Sequence, residues 1–442
     1  MKPACCRQTG WVDPFSDEFV PSGGRVSNDS ADWCWYMKLP GIVRANNMIK
    51  ELIACEQSRT KLSVTSAGQG QAFLVASVNS PSDAGHAAME SYTRIAKVLK
   101  ECRLEILHER IFGSLSLEPS VMAARRSAFR NCGIASDNPV TYIQGNPPWG
   151  EGFAGTIIHA VSPNDPGDVW TIMYGDQPCG RGWRGDGSTY LVLQNINGNH
   201  CSPQGNGTRH LQVRHMLDRA ERILRENGSS YDDVVRTWFY LSDILDWYAA
   251  FNKARNEKYG EFGIMPGPGD GSLLLPASTG ILGDTPSGAA ATMDLIAIVR
   301  ELGSGPAIRQ LTNMAQLDAF RYGSAFSRGS LIQEDEVSLI EVSGTASIDQ
   351  RGKSQFPGDI RNQIRCTFEK IERLLAHEEA GLGNIAAATV FVKRPEHAAV
   401  FQEMARERGL EEFPAVCVVA DVCRDDLLFE IDGEAAINRG IR

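Results

Sequence analysis

The sequence predicts an α+β fold of three tandem repeats, in each of which a mixed β-sheet packs against two helices. The first observation is that residues 212–224 and residues 363–375 agree in apolar periodicity, in charge placement and in a closing Glu-Arg-apolar-Leu. Both runs have the period of an amphipathic helix. The second observation is that strands and helices then alternate in the same order after each run. Such alternation is typical of sheets covered by helices.

The two clearer repeats each continue as strand, helix and strand. A short polar turn leads from the first helix into a strand at residues 234–241 in one copy and at residues 385–392 in the other. A second helix follows around Phe251 and Phe401, and the spacing is kept without a gap. A further strand then opens with a Pro-Ala pair, which is Pro276–Ala277 in one repeat and Pro414–Ala415 in the other.

A weaker copy precedes these two. It is predicted as a helix at residues 86–99, a strand at 104–112, a helix at 121–131 and a strand at 139–143. Domains commonly contain about 100–150 residues, which suits three units in a chain of 442 residues. The predicted limits are 1–50 for a flexible leader or an arm packed across the repeats, 51–165 for a degenerate first domain, 166–303 for the second and 304–442 for the third.

The acidic composition argues against large polyanionic partners. Lys and Arg number 44 and Asp and Glu number 54, so the formal net charge is −10. Such a chain has no general attraction to nucleic acid or to an anionic membrane. No run reaches the ~18 apolar residues that a membrane helix needs. The expected partner is a small anionic substrate held by local arginines.

The cysteines and histidines do not predict a metal or cofactor site. The eleven cysteines form no Cys-x-x-Cys pair, and His210 and His215 are not at the i, i+4 spacing of a metal pair. The glycine-rich runs 145–152 and 180–187 lack the Gly-Lys-Ser/Thr ending of a phosphate loop and are typical of turns. Without an apolar secretory segment, the expected compartment is the cytoplasm.

The third repeat resembles the RidA/YjgF fold. The resemblance lies in the strand at residues 341–348, the helix from Gln363, the strand opened by Pro414–Ala415 and the segment 430–432. RidA proteins are trimers with ligand clefts between subunits. The resemblance therefore implies a chorismate-mutase-like sheet with two helices in each repeat, and an intrachain pseudo-trimer with three inequivalent clefts. Such a chain would be a monomer that could still associate further.

A narrower resemblance is to the chorismatases, which are built from RidA-like domains. RidA imine deaminases place an arginine directly after the Pro-Ala pair, whereas this chain has Ser278 and Val416 there. Chorismatases cleave the enolpyruvyl ether of chorismate to pyruvate and a hydroxybenzoate or a cyclohexadiene diol, without metal or cofactor. The segments that resemble theirs are residues 235–240, 251–255, 276–281, 325–328 and 423–432.

Glu430 matches the catalytic glutamate of that family. Protonation of the enol ether methylene requires an acid, and a carboxylic acid stays protonated at neutral pH when apolar surroundings raise its pKa. Glu430 lies between Phe429 and Ile431. The plain alternative is a surface or salt-bridged strand residue.

Cys423 is the second predicted catalytic residue. A tight turn at residues 424–425 would pair Cys423 with Asp426 and Val419 with Glu430, which would put Cys423 and Glu430 on one face of a hairpin. Cys423 is assigned to positioning or to the product-determining step, with no nucleophilic role. Its alternative is a small buried apolar residue.

Arginines are the expected ligands for the two carboxylates of chorismate. The candidates are Arg236, Arg255 and Arg328. Their alternatives are a solvated strand position for Arg236, a helix-surface pair with Glu257 or Glu261 for Arg255, and a loop cap for Arg328. The predicted substrate-binding set is completed by Tyr240, Thr279 and Gly280.

Gly280 has a further implication. Thr279 and Gly280 lie where a strand meets a turn, so the backbone could approach the substrate ring, although an ordinary strand end would have the same sequence. In the family a small residue near this position influences the product, and glycine points to the hydroxybenzoate.

Three functional hypotheses follow. The first is a chorismatase-like enzyme. The second is a non-catalytic RidA-like protein that binds small molecules. It is suggested by Ser278 and Val416, which stand where the imine deaminases have an arginine. The third, an enamine or imine deaminase, requires an arginine from elsewhere in the chain.

Overall fold

The computed structural model describes residues 42–45, 48–53, 59–68, 70–199, 207–265, 275–301, 305–312, 324–334 and 336–439. These residues form three mixed β-sheets and six α-helices, with one sheet and two helices in each repeat. The predicted fold class is confirmed. Of the helices in these ranges, none combines the length and the apolar character that a membrane crossing requires.

The first repeat contains a seven-stranded sheet. Its two outermost strands fall partly within residues 1–50, for which a leader or arm is expected, and residues 1–41 lie outside the described residues. Its elements are β1 (Ile42–Ala45), β2 (Met48–Ile53), β3 (Thr60–Ser66), β4 (Gln71–Val78), α1 (Ala84–Glu101), β5 (Glu105–Gly113), α2 (Glu118–Cys132), β6 (Thr141–Gln144) and β7 (Phe153–Val161).

The second and third repeats each contain a six-stranded sheet. The second consists of β8 (Val169–Tyr174), β9 (Gln177–Gly185), β10 (Ser188–Asn197), α3 (Arg209–Glu226), β11 (Val234–Leu241), α4 (Ile244–Phe262), β12 (Ala277–Leu282) and β13 (Ala291–Arg300). The third consists of β14 (Ala307–Leu311), β15 (Gly329–Gln333), β16 (Val337–Ala346), α5 (Ile360–Ala376), β17 (Ile385–Val392), α6 (Pro395–Glu407), β18 (Ala415–Val419) and β19 (Phe429–Asn438).

Local signals explain where the helices begin and end. The side chains of Asp83, Thr208 and Asp359 each accept a hydrogen bond from a backbone N–H in the first turn of α1, α3 and α5. Such caps satisfy donors that the helix itself leaves unpaired. Gly133 and Gly263 end α2 and α4 in the left-handed conformation, with φ of 73° and 83°. Glycine adopts that conformation without steric cost.

The three sheets share one strand order. In each, the strand after the first helix runs parallel to an edge strand and antiparallel to the last strand of the repeat. The last strand also pairs with an amino-terminal hairpin, through β4, β10 or β16. The repeat seen in the sequence is therefore a repeat of topology.

The central strands of each sheet are buried on both faces. One face is covered by the helices of its own repeat, in three separate apolar clusters. The other faces meet in a central cluster that contains Leu107, Trp238 and Val416, one from each repeat. This packing explains why β11 and β17 are buried at every position. The three repeats form the predicted pseudo-trimer.

The hairpin predicted at residues 424–425 is wrong. β18 does not pair with β19; it pairs in parallel with β17, and Glu430 lies opposite Phe391 of β17 and Ala346 of β16. The physical reason is the crossover through α6, which places β18 on the far side of β17. The position beside β16 is then left for β19.

A buried ion pair fixes α2 to its sheet. The guanidinium of Arg125 donates to both carboxylate oxygens of Glu109 on β5, at 2.7–3.1 Å, and both side chains are fully buried. Removing one partner leaves an uncompensated charge. We expect Arg125→Met to reduce the free energy of unfolding by about 3–5 kcal/mol.

The midpoint of urea denaturation, followed by far-UV circular dichroism, measures this loss. Arg361→Met is the matched control because Arg361 forms its ion pairs on the surface. Such pairs contribute little, so the control midpoint should stay close to that of the wild type. Equal midpoints for the two variants would contradict the prediction.

Candidate active site

A cavity of about 930 Å³ lies between the second and third repeats. It falls within the ~300–1,000 Å³ of typical ligand pockets. The second repeat contributes residues of α4 and β12, and the third contributes residues of β16, β19 and the connection between β18 and β19. The segment from Ser324 to Arg328 closes one side.

Glu430 lies on the wall of this cavity and is only 4% exposed. Among the described residues its carboxyl has neither a hydrogen-bond donor nor a salt-bridge partner. Burial and, to a lesser extent, the negative charge of Asp432 together raise the pKa of Glu430 to about 8, against the opposing effects of Arg328 and Arg236. The carboxyl is therefore protonated at neutral pH, and the alternative of a surface or salt-bridged residue is excluded.

Gly344 makes the space for this carboxyl. It lies in β16 at a β-bulge, since the register between β16 and β19 shifts between Val342 and Thr345. A Cβ atom added to Gly344 would come within 2.1 Å of Oε1 of Glu430. Bulges next to active sites commonly redirect a side chain. Here the bulge provides the room into which Glu430 fits.

Cys423 lines the same cavity in the connection between β18 and β19. The structure thus brings Cys423 and Glu430 to one cleft, although not through the predicted hairpin. Burial raises the pKa of the Cys423 thiol to about 12, and the charge of Glu430 contributes to the rise. A thiol with this pKa is a poor nucleophile at neutral pH.

Two of the three predicted arginines reach the cavity. Arg255 is buried and donates to Oδ1 of Asn252 at 2.7 Å, and Arg328 is 3% exposed. Both guanidinium groups lie against the ring of Phe326, at 5.5 Å and 5.4 Å from its centroid. No carboxylate in the described ranges forms a salt bridge with Arg255, and Glu257 and Glu261 pair with Arg214 instead.

Gly280 also lines the cavity, opposite Tyr248 of α4. A Cβ atom at Gly280 would lie 3.2 Å from Cε2 of Tyr248. The glycine therefore sets the width of the cavity at this point. Ser278, which replaces the arginine of the imine deaminases, lies on the same wall, whereas Val416 is buried in the central cluster.

Arg236, Thr279 and Tyr240 do not line the cavity. Arg236 is fully buried, so a solvated position is also excluded, and it donates to Oδ2 of Asp432 at 3.2 Å. Thr279 donates to the same oxygen at 2.8 Å, and Tyr240 lies in the central cluster. Strand alternation explains this outcome. β11 presents Arg236, Trp238 and Tyr240 to the interior between the repeats, on the side of the sheet away from α4.

Sequence reasoning missed several lining residues. Tyr248, Asn252 and Arg255 follow one another at i, i+4 and i+7 on α4, and this helical spacing could have identified the first two. Phe326 could have been inferred from its place beside Arg328. Gly344 lies within the strand predicted at residues 341–348, and a glycine inside a strand often marks a bulge, but its place beside Glu430 depends on the pairing of β16 with β19.

Only one of three related positions carries an acid. Phe112, Tyr240 and Phe391 occupy the same place in β5, β11 and β17, and their partners on the last strand of each sheet are Gly155, Thr292 and Glu430. The pseudo-trimer thus has a carboxyl at this position in the third repeat alone.

Comparisons with known proteins agree with this architecture. Residues 325–437 match the family model described as endoribonuclease L-PSP. A crystal structure of a chorismatase superposes with a TM-score of 0.52 at 20% identity, covering 75% of this chain and 92% of that one.

The fold of the described residues is chorismatase-like, and the third repeat matches the L-PSP family model over residues 325–437. The predicted resemblance to the chorismatases and to the RidA superfamily is confirmed.

Two curated proteins are similar over about half of this chain. A 3-hydroxybenzoate synthase of Streptomyces hygroscopicus is 30% identical over 238 residues, which are 48% of this chain and 65% of that protein. A chorismatase of Streptomyces rapamycinicus is 28% identical over 232 residues, which are 47% and 65% of the two chains. The chain therefore spans less than two thirds of the length of each relative.

The raised pKa of the Cys423 thiol gives a prediction about its reactivity. Because its pKa is about 12, few molecules hold the thiolate at pH 8. We expect iodoacetamide to label Cys423 in the folded protein at least about 100-fold more slowly than in urea-unfolded protein. Peptide mass mapping over time measures both rates. Equal rates in the two states would show that the folded protein does not hold the Cys423 thiol protonated.

Proposed function

We propose that this protein cleaves the enolpyruvyl ether of chorismate, or of a closely related compound, to pyruvate and a hydroxybenzoate. The observation that carries the proposal is a buried, protonated Glu430 on the wall of a cavity that also holds Arg255 and Arg328. The similarity to a chorismatase and to a 3-hydroxybenzoate synthase supports the choice of substrate.

Glu430 acts as the general acid. Its proton goes to the methylene carbon of the enol ether, and positive charge develops on the carbon bonded to the ether oxygen. Because the oxygen shares that charge, the cation is stabilised until the bond between the oxygen and the ring breaks, and the electron pair of that bond becomes part of the carbonyl of pyruvate. The ring is left as a cation, and loss of a ring proton makes it aromatic and replaces the proton that Glu430 gave. A carboxyl with a pKa of about 8 is both protonated at neutral pH and acidic enough to donate.

Arg255 and Arg328 orient the substrate. Chorismate carries two carboxylates, and the cavity presents two buried guanidinium groups, each within 5.5 Å of the centroid of the Phe326 ring. Guanidinium–carboxylate pairs are strong and directional in a buried site. With Arg236 committed to Asp432, these two arginines are matched in number to the two carboxylates.

Which product forms depends on the part of the cavity between Gly280 and Tyr248, where Gly280 sets the width. A hydroxybenzoate and pyruvate together contain all the atoms of chorismate, whereas the diol requires one added water molecule. Gly280 and Cys423 both line the cavity and define how the ring sits. Glycine at position 280 supports the hydroxybenzoate outcome, and the protonated thiol of Cys423 acts as a positioning group.

The other hypotheses are less well supported. Deamination has no arginine at the positions of Ser278 and Val416. A binding-only role does not account for an acid with a raised pKa in just one of the three related positions. Perturbed carboxyls in a cleft are typical of catalytic sites.

The central prediction concerns Glu430→Gln. The substitution keeps the shape of the side chain and removes the proton that it donates, so we expect kcat for pyruvate release from chorismate to fall about 10²- to 10⁴-fold. The wild-type kcat should be independent of pH at lower pH and should fall as pH rises through about 8, because only the protonated form of Glu430 is active.

A lactate-dehydrogenase-coupled assay follows pyruvate. Glu403→Gln is the control, since Glu403 lies on the surface and pairs with Arg361. Wild-type protein that binds chorismate, judged by thermal shift, and releases no pyruvate would establish the binding-only role. Full activity in Glu430→Gln would mean that another group protonates the substrate.

Gly280→Ala tests the control of the product. The new methyl group would press against Tyr248 and narrow the cavity. We expect the ratio of hydroxybenzoate to diol to fall at least about tenfold, since a ~1.4 kcal/mol difference between competing barriers has this effect. Chromatography of the aromatic and diene products measures the ratio. An unchanged ratio would remove Gly280 from the product-determining step.

A further inference from the structure

The hydrogen bonds around Thr279 connect the buried centre of the molecule to the cavity wall. Oγ1 of Thr279 accepts from Nη2 of Arg236 at 2.9 Å and donates to Oδ2 of Asp432 at 2.8 Å. Oγ1 of Thr279 also accepts from the backbone N–H of Gly344 at 3.2 Å. Thr279 thus holds one end of the bulge in β16.

The rest of the bulge is held by Ser278 of the second repeat and by Ser327 and Arg328, which precede β15 in the third. The hydroxyl of Ser343 accepts from the backbone N–H of Ser278 at 2.8 Å and donates to the carbonyl of Ser327 at 2.7 Å. The backbone N–H of Ser343 donates to the carbonyl of Arg328 at 3.2 Å. The bulge therefore has its hydrogen-bond partners outside its own sheet ladder.

The position of this bulge determines the position of the acid. A Cβ on Gly344 would come within 2.1 Å of Oε1 of Glu430, so the carboxyl lies directly against the backbone of the bulge. The same Cβ would come within 3.3 Å of Cγ2 of Thr279. A shift of Gly344 would change the space that Glu430 occupies.

We propose that Thr279, held by Arg236 and Asp432, is a positioning residue that fixes the Gly344 bulge and through it the carboxyl of Glu430. The proposal rests on the proposed function and assigns a different role to two residues expected to bind substrate. The second repeat thereby sets the geometry of an acid carried by the third. Neither Arg236 nor Thr279 lines the cavity, so their effect on the reaction is indirect.

Charge reinforces this arrangement. Asp432 follows Glu430 by two residues on β19, and its negative charge contributes to the raised pKa of Glu430. The pairing of Asp432 with Arg236 keeps that charge in place. The other ionisable groups around the cavity are Asp246, Tyr248, Lys253, Arg255, Glu257, Arg328, Cys423 and Arg424.

The test compares Thr279→Val with Thr279→Ser. Valine keeps the volume and loses the hydroxyl, whereas serine keeps the hydroxyl and loses the methyl group. We expect Thr279→Val to lower kcat about tenfold or more, a change that corresponds to ~1.4 kcal/mol, while KM stays within about twofold. Thr279→Ser should retain most of the wild-type kcat. Wild-type kcat in the valine variant, or an equal loss in both variants, would overturn the proposal.

Asp432→Asn provides an independent measurement, since asparagine keeps the size of the side chain and Arg236 still lies 3.5 Å from Glu341. Loss of the negative charge lets Glu430 release its proton at lower pH. The upper limb of the pH–kcat profile should therefore move to lower pH by at least about one unit. If the upper limb of the pH–kcat profile did not shift, the role proposed for the hydrogen bonds among Arg236, Thr279 and Asp432 would be overturned.

Crystal structures separate this proposal from the proposed function. If wild-type protein releases no pyruvate, the proposed function fails, yet the positioning role can still be read from the coordinates. The carboxyl of Glu430 should be displaced in Thr279→Val and unchanged in Thr279→Ser. An unmoved carboxyl in both variants would overturn the positioning role by itself.

Discussion

The burial of one carboxyl without a bonded cation is the constraint on which the candidate site depends. An ionised carboxylate enclosed in this way would be costly, so Glu430 keeps its proton at neutral pH. The cost appears in the stability of the protein as pH rises. Because the pKa of Glu430 in the folded state lies above its value in the unfolded chain, the folded state binds more protons between pH ~4.5 and ~8, and stability falls through that window.

A single strand carries both the acid and the charges that join the repeats. Glu430, Asp432 and Glu434 occupy every second position along β19, so all three side chains point from the same face of the sheet. Glu430 faces the cavity, Asp432 pairs with Arg236 of the second repeat, and Glu434 pairs with Arg110 of the first at 2.8 Å. The strand that completes the third sheet therefore also connects all three repeats.

Trp238 shows how closely this centre is packed. The guanidinium groups of Arg110 and Arg236 lie 4.4 Å and 4.3 Å from the centroid of its ring. Arg236 also approaches Glu341 at 3.5 Å, and burial, together with the charge of Glu434, raises the pKa of Glu341 to about 8. A buried network of this kind is strongly destabilised when one partner is lost. Changes to Arg236 should therefore be interpreted through this network and not as lost substrate contacts.

The sequence was sufficient to predict where helices and strands occur in each repeat, but it was not sufficient to predict which strands pair with one another. The two helices of each repeat and the strands that follow them were predictable, because apolar periodicity and, in the second and third repeats, the Pro-Ala pairs are local properties. The burial of Glu430 followed from its apolar neighbours on β19. The partner of β19 could not be predicted, since its pairing with β16 and β17 depends on the crossover through α6. For the same reason Arg236 and Thr279 were expected in the cavity, although their strands point them at Asp432.

The pKa of Glu430 in the free wild-type protein is the most direct measurement of the central claim. Carboxyl ¹³C NMR, with the resonance assigned by its absence from Glu430→Gln, would follow its titration between pH 4 and pH 10. A midpoint near 8 is the predicted result. A midpoint between about 4 and 5, the range of an exposed glutamate, would contradict the claim that Glu430 reaches neutral pH with a proton to donate.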